Sequence, residues 1–333
     1  MLARRNAIAV ATIVACVACG WCLHGTQQRA PMSSGARRDR AESLARDLRS
    51  GDRWTRLRAA GDLRVLGVDA EPAIPGLLHA LGDPYIDVRA QAAGALVRLG
   101  ETEHAQPVLV ECLRAESSTV RSGASADLGW VPELSPEALL GLIRSLSDLD
   151  ATVRANAAAT LGEKAACEAE SALLQCLRDP ETQVRINAAG ALGSIAGVLG
   201  RTSDAAAQGL VALLDDPQAA VRATAADSLR VPTSDPSEQV KQLASLLDDP
   251  SPSVRISGAL SIALLGEPQR ALPTLVESLS DEDWVVRYSA VTSLGLIGRG
   301  ASDALPQVQP LLDDPSPAVA GAARTTSRLL AGD

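Results

Sequence analysis

Seven arginines that each follow a valine at a nearly constant spacing are the most regular candidates for chemistry in this 333-residue sequence. Successive members are 31 to 37 residues apart, and a variant, Leu57-Arg58, precedes them. Guanidinium groups repeated on one face could bind a row of phosphates, because each offers a planar fork of hydrogen-bond donors. The alternative is that each arginine is held by a carboxylate within the fold. The seven are Arg89, Arg121, Arg154, Arg185, Arg222, Arg255 and Arg287.

The nearest approach to a metal site is the cluster of Glu101, Glu103 and His104. A single histidine beside two glutamates at a helix start is typical of a solvated first turn, where the helix dipole favours acidic residues. We therefore predict no metal site and no cofactor. The sequence also lacks glycine-rich phosphate loops, nucleophile elbows and paired histidine–acid motifs, so we predict that the chain is not an enzyme.

Between successive arginines the sequence predicts a pair of α-helices. In residues 71–100, apolar side chains at helical spacing predict a first helix that ends near Gly82. Asp83 and Pro84 then predict the start of a second helix, since aspartate can cap free amides and proline suits the first helical position. The apolar positions are Ile74, Leu77, Leu78 and Leu81 in the first helix, and Val88, Ala92, Leu96 and Leu99 in the second.

A repeat of this length cannot bury the apolar face of its own two helices, so neighbouring repeats must cover one another. Most apolar residues are small: the chain has no phenylalanine, four tryptophans and two tyrosines, and alanine pairs follow many of the arginines. Small side chains allow closely packed helices around a thin, linear core. We predict an all-α solenoid of about nine stacked helical hairpins over residues 41–333.

Segments 83–96 (DPYIDVRAQAAGAL) and 179–193 (DPETQVRINAAGALG) resemble the HEAT-like repeats first described in phycobilin lyases. The resemblance implies the solenoid fold but says little about function, because the family includes scaffolds, adaptors and a few enzymes. It also implies a ladder of hydrogen bonds between neighbouring repeats, in which each aspartate is paired with the arginine six residues later. The pairs are Asp52/Arg58, Asp83/Arg89, Asp148/Arg154, Asp179/Arg185, Asp216/Arg222, Asp249/Arg255 and Asp281/Arg287.

Two repeats depart from this pattern. The third has Ala115 in place of the aspartate, and the ninth keeps Asp314 but has Ala320 in place of the arginine. A last repeat has no following neighbour to bond, so the loss of its arginine suits a terminal cap. The ladder favours the structural explanation of the arginines over the phosphate-binding one.

Residues 1–24 differ from the repeats and predict a membrane-directed leader. Two arginines precede an uncharged run at residues 7–23, which fits a secretory signal or a short membrane anchor. The letters IVAC at its centre resemble a bacterial lipobox, in which Cys16 would carry the lipid. We expect the repeats to lie outside the cytoplasm, although arginines on both sides of the run leave the orientation open. Residues 25–40 predict a flexible linker.

Three cysteines lie in the predicted repeats. Cys112 and Cys176 occupy equivalent places two repeats apart, which is too distant for a disulfide whose Cα atoms must approach within about 7 Å. We predict that Cys112, Cys167 and Cys176 are small buried thiols.

The charge of the repeats favours protein partners over nucleic acid. Residues 41–333 contain 25 basic and 39 acidic residues, whereas nucleic-acid binding would need a basic groove with stacking aromatics. Many acidic residues lie in the turns between paired helices. Stacking would align these turns into an acidic edge, which would serve solubility or bind a basic partner.

Two further sets of residues are candidate contacts for a partner. Polar residues two positions after the arginines are predicted to face outward from the second helices, where they could bind an extended peptide, as asparagine rows do in the related armadillo repeats. They are Gln91, Asn156, Asn187, Thr224, Ser257 and Ser289. The aromatic residues Trp54, Tyr85 and Trp284 fall in or beside the turns and are candidate anchors.

We expect a non-catalytic scaffold for protein–protein interaction that is attached to a membrane or exported. The alternative is an accessory or lyase-like protein that holds a small molecule or prosthetic group on the solenoid. The sequence does not identify the partner.

Overall fold

The structure is a computed structural model that describes residues 34–332. These residues form nine consecutive pairs of α-helices, without a β-strand in that range. The predicted all-α solenoid is therefore confirmed. The first helices are α1 (Ser34–Asp47), α3 (Ile74–Ala80), α5 (Thr102–Cys112), α7 (Pro136–Ser145), α9 (Glu170–Cys176), α11 (Asp204–Ala212), α13 (Pro236–Ala244), α15 (Pro268–Ser278) and α17 (Leu305–Val308). The second helices are α2 (Arg53–Leu66), α4 (Ile86–Arg98), α6 (Ser118–Asp127), α8 (Ala151–Glu163), α10 (Thr182–Leu199), α12 (Ala219–Ser228), α14 (Pro252–Leu264), α16 (Trp284–Ile297) and α18 (Pro317–Ala331).

Short 3₁₀ segments extend or connect several of these helices. They are Gly67–Ala73, Leu128–Trp130, Cys167–Ala169, Leu213–Asp215, Ser245–Asp248, Gly298–Ala304 and Gln309–Asp313. Each consecutive pair of helices is one repeat, and we number the repeats 1 to 9 from the N-terminal end.

The second helices form the closely packed layer of the stack. Each of the first six contributes a fully buried leucine at its C-terminal half or end. These leucines are Leu63, Leu96, Leu128, Leu161, Leu192 and Leu229. A Cβ atom added at Gly162 would lie only 2.9 Å from the Cα atom of Ala191 in the next second helix, so glycine permits this close approach.

Neighbouring first helices contact one another much less than neighbouring second helices do. The second helices are therefore the more closely spaced layer of the stack, and we call their exposed face the inner surface. This surface is the one that a partner lying along several repeats would meet.

The N-terminal end differs from the sequence prediction. The predicted leader, with Cys16, lies outside the described residues, as does most of the linker predicted for residues 25–40. However, α1 begins at Ser34, so the end of that predicted linker is helical. Ion pairs of 2.9 Å join Arg37 to Asp69 and Arg40 to Asp62, and they hold the start of α1 against α2 and the 3₁₀ segment that follows α2. None of the helices between residues 34 and 332 has the length and apolar character needed to cross a membrane.

Candidate functional site

The aspartate of each Asp-Pro pair forms the turn before the second helix. The Asp83 carboxylate accepts a hydrogen bond from the backbone N–H of Tyr85 (3.0 Å), and α4 begins only at the next residue. The prediction that Asp83 caps the helix and that Pro84 is its first residue is therefore wrong. The same bond to the amide two residues later is made by Asp148, Asp179, Asp216, Asp249, Asp281 and Asp314.

The arginines of the repeats join each repeat to the next one. The Nη1 atom of Arg154 donates to the backbone oxygen of Asp148 in its own repeat (2.8 Å), while Nε and Nη2 donate to the carboxylate of Asp179 in the following repeat (2.6 and 2.9 Å). Equivalent bidentate links are Arg121–Asp148, Arg185–Asp216, Arg222–Asp249 and Arg287–Asp314. We call these five links, together with the bidentate link from Arg56 to Asp83, the ladder.

This geometry corrects the pairing implied by the resemblance. An aspartate and the arginine six residues later are joined through the aspartate backbone, and the carboxylate is bound by the arginine of the preceding repeat. The first repeat also differs from the prediction: Arg56, not Arg58, donates to the carboxylate of Asp83 (2.6 Å) and to the backbone oxygen of Ser50 (2.9 Å). Arg58 is exposed, and Asp52 caps α2 by accepting from the amide of Thr55 (2.8 Å).

The ladder occupies the guanidinium groups of five of the seven regularly spaced arginines that follow a valine, Arg89 contacts Glu111, and Arg255 bonds to backbone oxygens. Its arginine side chains are only 11–17% exposed, since each lies between two turns. Hydrogen bonds from Arg121 lower the pKa of Asp148, and the same interaction lowers the pKa of Asp314 beside Arg287. The arginine row is thus part of the framework.

The ladder is interrupted at two junctions. Between repeats 2 and 3, Ala115 replaces the aspartate, and Arg89 instead contacts Glu111 at 2.5 Å. Between repeats 7 and 8, both residues are present, yet no hydrogen bond joins Arg255 to the Asp281 carboxylate in the described structure. Arg255 donates only to the backbone oxygens of Asp249 and Pro250. The second helices also contact each other least at these two junctions.

The polar row predicted to face outward is half-buried between neighbouring second helices. The amide of Asn156 donates to the backbone oxygen of Ser122 (3.1 Å), and that of Asn187 donates to Ala155 (2.8 Å), so both bind the preceding repeat. The other four members of the row differ from one another in their contacts. Thr224 and Ser289 donate to their own helices, Ser257 bonds to Asp227, and Gln91 is half-buried in α4.

The amide hydrogens of the two asparagines thus bind the neighbouring repeat, which the sequence did not predict, while Asn156 also lines an open groove. The row lies beside the buried stripe of each second helix, and the sequence pattern alone predicts such a position to be exposed. On a close-packed layer of small residues, that position faces the neighbouring helix. Whether any member contacts a partner stays a prediction.

An ionic cluster that the sequence analysis missed lies on the inner surface of repeats 1 to 3. Asp127, 2% exposed at the end of α6, accepts a hydrogen bond from Arg64 of α2 (2.7 Å) and lies 3.7 Å from Arg98 of α4. The Asp127 and Arg64 side chains meet over Gly94, where an added Cβ would lie 2.4 Å from the Asp127 carboxylate and 3.0 Å from Nε of Arg64. We call Arg64, Arg98 and Asp127 the clamp. Burial raises the pKa of Asp127, while the two arginines oppose that rise.

Beside the clamp, the ends of α6 and α8 enclose an open groove of about 480 Å³. Its walls are Ala126, Gly129, Trp130, Asn156, Ala159, Thr160 and Glu163. The Trp130 side chain is 57% exposed, and the Arg98 guanidinium lies 4.6 Å from its ring centroid. The exposed Glu163 carboxylate completes the rim. This groove joins an aromatic face, a carboxylate and an amide in one place on the inner surface.

The turn aromatics lie where the sequence places them, at the edge of the stack. Trp54, Tyr85 and Trp284 are 65%, 42% and 49% exposed. The guanidinium of Arg53 lies between the first two, 4.9 Å from the Trp54 ring and 4.3 Å from the Tyr85 ring. Their role as partner contacts stays a prediction. The same edge carries exposed acidic residues, namely Glu181, Asp215, Asp248, Glu282 and Asp313.

The cysteines and histidines do not converge on a site. Burial raises the pKa of the Cys112 thiol to about 12 and that of Cys176 to about 11, whereas Cys167 is exposed, contrary to prediction. Cys167 lies in a 3₁₀ turn before α9, outside the packed part of that helix. His104 approaches only Glu101, at 3.6 Å. Within residues 34–332 no group of three or more histidine, cysteine and acidic residues is placed to hold a metal.

Comparison of the sequence with models of known protein families identifies the family to which the chain belongs. The family model for HEAT repeats matches residues 41–129, 136–230 and 240–327, which together span most of the chain. It describes HEAT repeats in general, so the phycobilin-lyase subtype remains a prediction. No curated protein matches the sequence.

Two solved structures are similar in fold. The crystal structure of an engineered protein has 22% sequence identity and a TM-score of 0.52, over 88% of this chain and 89% of its own. The X-ray structure of YibA from Escherichia coli has 19% identity and a TM-score of 0.50, over 91% of this chain and 100% of its own. At such identities the likeness concerns the fold alone.

Proposed function

Because the chain belongs to the HEAT-repeat family, we propose that it is a non-catalytic scaffold that binds protein partners on the inner surface of its second helices. HEAT repeats suggest a scaffold for protein interaction in general, and the location of the binding surface is specific to this chain. The groove beside Trp130 supports the inner surface most directly. A half-exposed tryptophan among small side chains is the kind of anchor on which interface binding energy concentrates.

The charge distribution supports a partner with basic character. Residues 41–333 contain an excess of 14 acidic side chains, and the ladder neutralises six aspartates by pairing them with arginines. The ladder arginines do not bind the exposed acidic residues at the edge formed by the turns. A negative field of this kind attracts basic partners and raises the rate of encounter.

Photo-crosslinking in cells tests the proposed binding surface. A photoreactive amino acid is placed at Val65 or Leu264 on the inner surface (88% and 44% exposed) and, as a control, at Leu140 on the first helix α7 (53% exposed). We expect crosslinks to polypeptides from the two inner positions and few from Leu140. Crosslinks from Leu140 alone, or none at all, would exclude the inner surface as the site of partner binding.

The groove volume favours a second candidate function, in which the chain holds a small molecule as an accessory protein. A volume of about 480 Å³ lies within the roughly 300–1,000 Å³ typical of small-molecule sites. Native mass spectrometry and absorbance of the purified chain distinguish the two. A stoichiometric added mass or chromophore would favour the accessory role, while co-purifying polypeptides would favour the scaffold.

We also propose that the scaffold is attached to a membrane or exported, on the strength of the leader sequence at residues 1–24. Protease digestion of intact cells and of spheroplasts tests this proposal. We expect the repeats to be digested under conditions that digest exported proteins, and full protection would contradict export. Replacement of Cys16 by serine, followed by metabolic labelling with a fatty acid, tests the candidate lipidation site.

A further inference from the structure

We infer that the groove beside Trp130 binds one cationic side chain, an arginine or a lysine, from an extended segment of the partner. This inference rests on the proposed scaffold function and gives it a chemical preference. It depends on three features of the groove: a free aromatic face, acceptor oxygens without a hydrogen-bond donor in the described structure, and an aromatic–acidic neighbour pair that no other two adjacent repeats have at the same position.

The aromatic face is available on one side only. Trp130 lies at the end of α6, between α4 on one side and α8 on the other. Arg98 approaches the ring from α4, and the groove opens toward α8, since its lining residues come from α6, α8 and the turn between α6 and α7. The ring face toward the groove therefore remains free. A cation within about 6 Å of a tryptophan ring is attracted by the negative face of the ring.

Two of the side chains that line the groove offer acceptor oxygens. In the described part of the chain no donor hydrogen-bonds to the Glu163 carboxylate, which interacts with the neighbouring Lys164 through charge alone. The Asn156 side chain uses its amide to donate to Ser122, which leaves its carbonyl oxygen without a donor there. The Thr160 hydroxyl donates to the backbone oxygen of Ser125.

The cation that follows Glu163 in sequence is already bound elsewhere. The Lys164 ammonium donates to the backbone oxygens of Gly129 and Val131, at 2.8 and 2.6 Å. Arg98 and Arg64 lie on the other side of α6, where they bind Asp127. The groove thus presents a carboxylate, a carbonyl oxygen and a ring face, which together suit a guanidinium or ammonium group.

Trp130 and Glu163 occupy one periodic position of the second helices. It lies nine residues after Arg56 in repeat 1, after the regularly spaced arginine that follows valine in repeats 2 to 8, and after Ala320 in repeat 9. It holds Val65, Arg98, Trp130, Glu163, Ser194, Val231, Leu264, Leu296 and Leu329 in repeats 1 to 9. Only repeats 3 and 4 place an aromatic residue beside an acidic one. A partner segment would therefore be fixed in register by one basic residue.

Titration with synthetic peptides tests the inference. The probe is a nine-residue acetylated and amidated peptide of glycine and serine with one central arginine, and its match has citrulline, the neutral isostere, at that place. Full-length protein is labelled with ¹⁵N-tryptophan, and the indole signals are assigned with Trp130→Phe. We expect the arginine peptide to shift the Trp130 signal and not that of Trp54 or Trp284. We expect the citrulline peptide to bind at least tenfold more weakly.

Two variants locate the interaction. Glu163→Gln should weaken binding of the arginine peptide about tenfold, while Glu133→Gln, an exposed glutamate that does not line the groove, should leave it unchanged. Both side chains are exposed, so neither variant should alter the helical circular-dichroism spectrum. Equal binding of the arginine and citrulline peptides, or equal binding by wild type and Glu163→Gln, would overturn the inference.

The inference and the scaffold function can fail separately. If the inner positions crosslink to partners equally in wild type and Glu163→Gln, and the peptides do not discriminate, the groove inference fails and the scaffold stands. If the arginine peptide binds as expected while no polypeptide crosslinks to the inner surface, the scaffold fails and the cation site stands.

Discussion

Two junctions lack a ladder bond: the one between repeats 2 and 3, and the one between repeats 7 and 8. In the described structure, only the first of these has other ion pairs between its repeats. At the first, the clamp ties Asp127 of repeat 3 to Arg98 of repeat 2 and to Arg64 of repeat 1. At the second, the residues in the corresponding positions are Ser293, Leu264 and Arg230, and the exposed Leu264 cannot form an ion pair.

The apolar core also differs between the two junctions: it is continuous across the first and divided close to the second. One continuous cluster of buried side chains runs from Ala41 to Ile262, and a second cluster runs from Ile256 to Leu330, with their boundary inside α14. The clamped junction lies within the first cluster, whereas the unclamped junction lies close to the boundary. In a solenoid, stability is approximately a sum of repeat terms and nearest-neighbour terms. We therefore expect repeats 8 and 9 to open before the rest of the chain.

The largest expected effect comes from breaking the clamp. Asp127→Ala leaves two arginines without their shared carboxylate, and removal of one partner from a buried ion pair typically costs about 3–5 kcal/mol. Because Arg64 and Arg98 are partly exposed and can turn toward water, we expect a loss of about 2–4 kcal/mol in the free energy of unfolding in urea. The control Asp62→Ala removes an exposed pair with Arg40 and should cost less than about 1 kcal/mol. Equal losses for the two variants would show that the clamp does not stabilise the junction.

The second prediction compares a complete ladder link with an incomplete one. Arg154→Ala leaves the Asp179 carboxylate, whose side chain is 9% exposed, without its guanidinium, and we expect it to cost about 2–3 kcal/mol. Arg255→Ala loses only bonds to backbone oxygens and should cost about 1 kcal/mol. Urea unfolding measures both. Neither variant should change partner binding by the folded protein, and a loss of binding in folded Arg154→Ala would restore the ligand role of the arginines.

The third prediction concerns Asp227 of α12, which hydrogen-bonds to Ser257 of α14 near the core boundary. Burial raises the pKa of Asp227 to about 6, above the ordinary value of 3.8. A carboxyl group with a raised folded-state pKa contributes most stability at low pH, and that contribution is lost as the pH rises from about 4 through 6. At pH 7.5 the free energy of unfolding of Asp227→Asn should therefore exceed that of wild type by about 1–3 kcal/mol, since each unit of pKa shift corresponds to about 1.4 kcal/mol.

The comparison with wild type near pH 4 supplies the control for Asp227, because there the two proteins should differ little. A constant difference at both pH values would assign the effect to packing instead of ionisation. If Asp227→Asn were less stable at pH 7.5, the ionised carboxylate of this half-buried residue would stabilise the fold instead of destabilising it.

The sequence predicted the periodic part of this molecule and missed the part that occurs once. Apolar spacing and the Asp-Pro turns indicated two helices per repeat, because every repeat carries the same signal. The direction of the ladder was wrong, since a six-residue spacing cannot tell which repeat an aspartate carboxylate faces. Arg56 was missed because Thr55, not valine, precedes it. The clamp depends on residues at three different positions of three repeats, and only Asp127, a lone acid among small residues, offered a signal.

Ala115→Asp would supply the bond that the junction between repeats 2 and 3 lacks. The backbone there already has the ladder geometry, because Arg121 donates to the oxygen of Ala115 at 2.9 Å as other arginines do to aspartate oxygens. The Nε atom of Arg89 is buried and has no partner in the described structure, so a new carboxylate can accept from it. We expect a gain of about 1 kcal/mol in unfolding free energy, which is the net value of a typical hydrogen bond. The variant Ala115→Asn, which lacks the charge, should gain less. If Ala115→Asp gained nothing alone but partly rescued Asp127→Ala, the ladder and the clamp would be alternative ways to join the same two repeats.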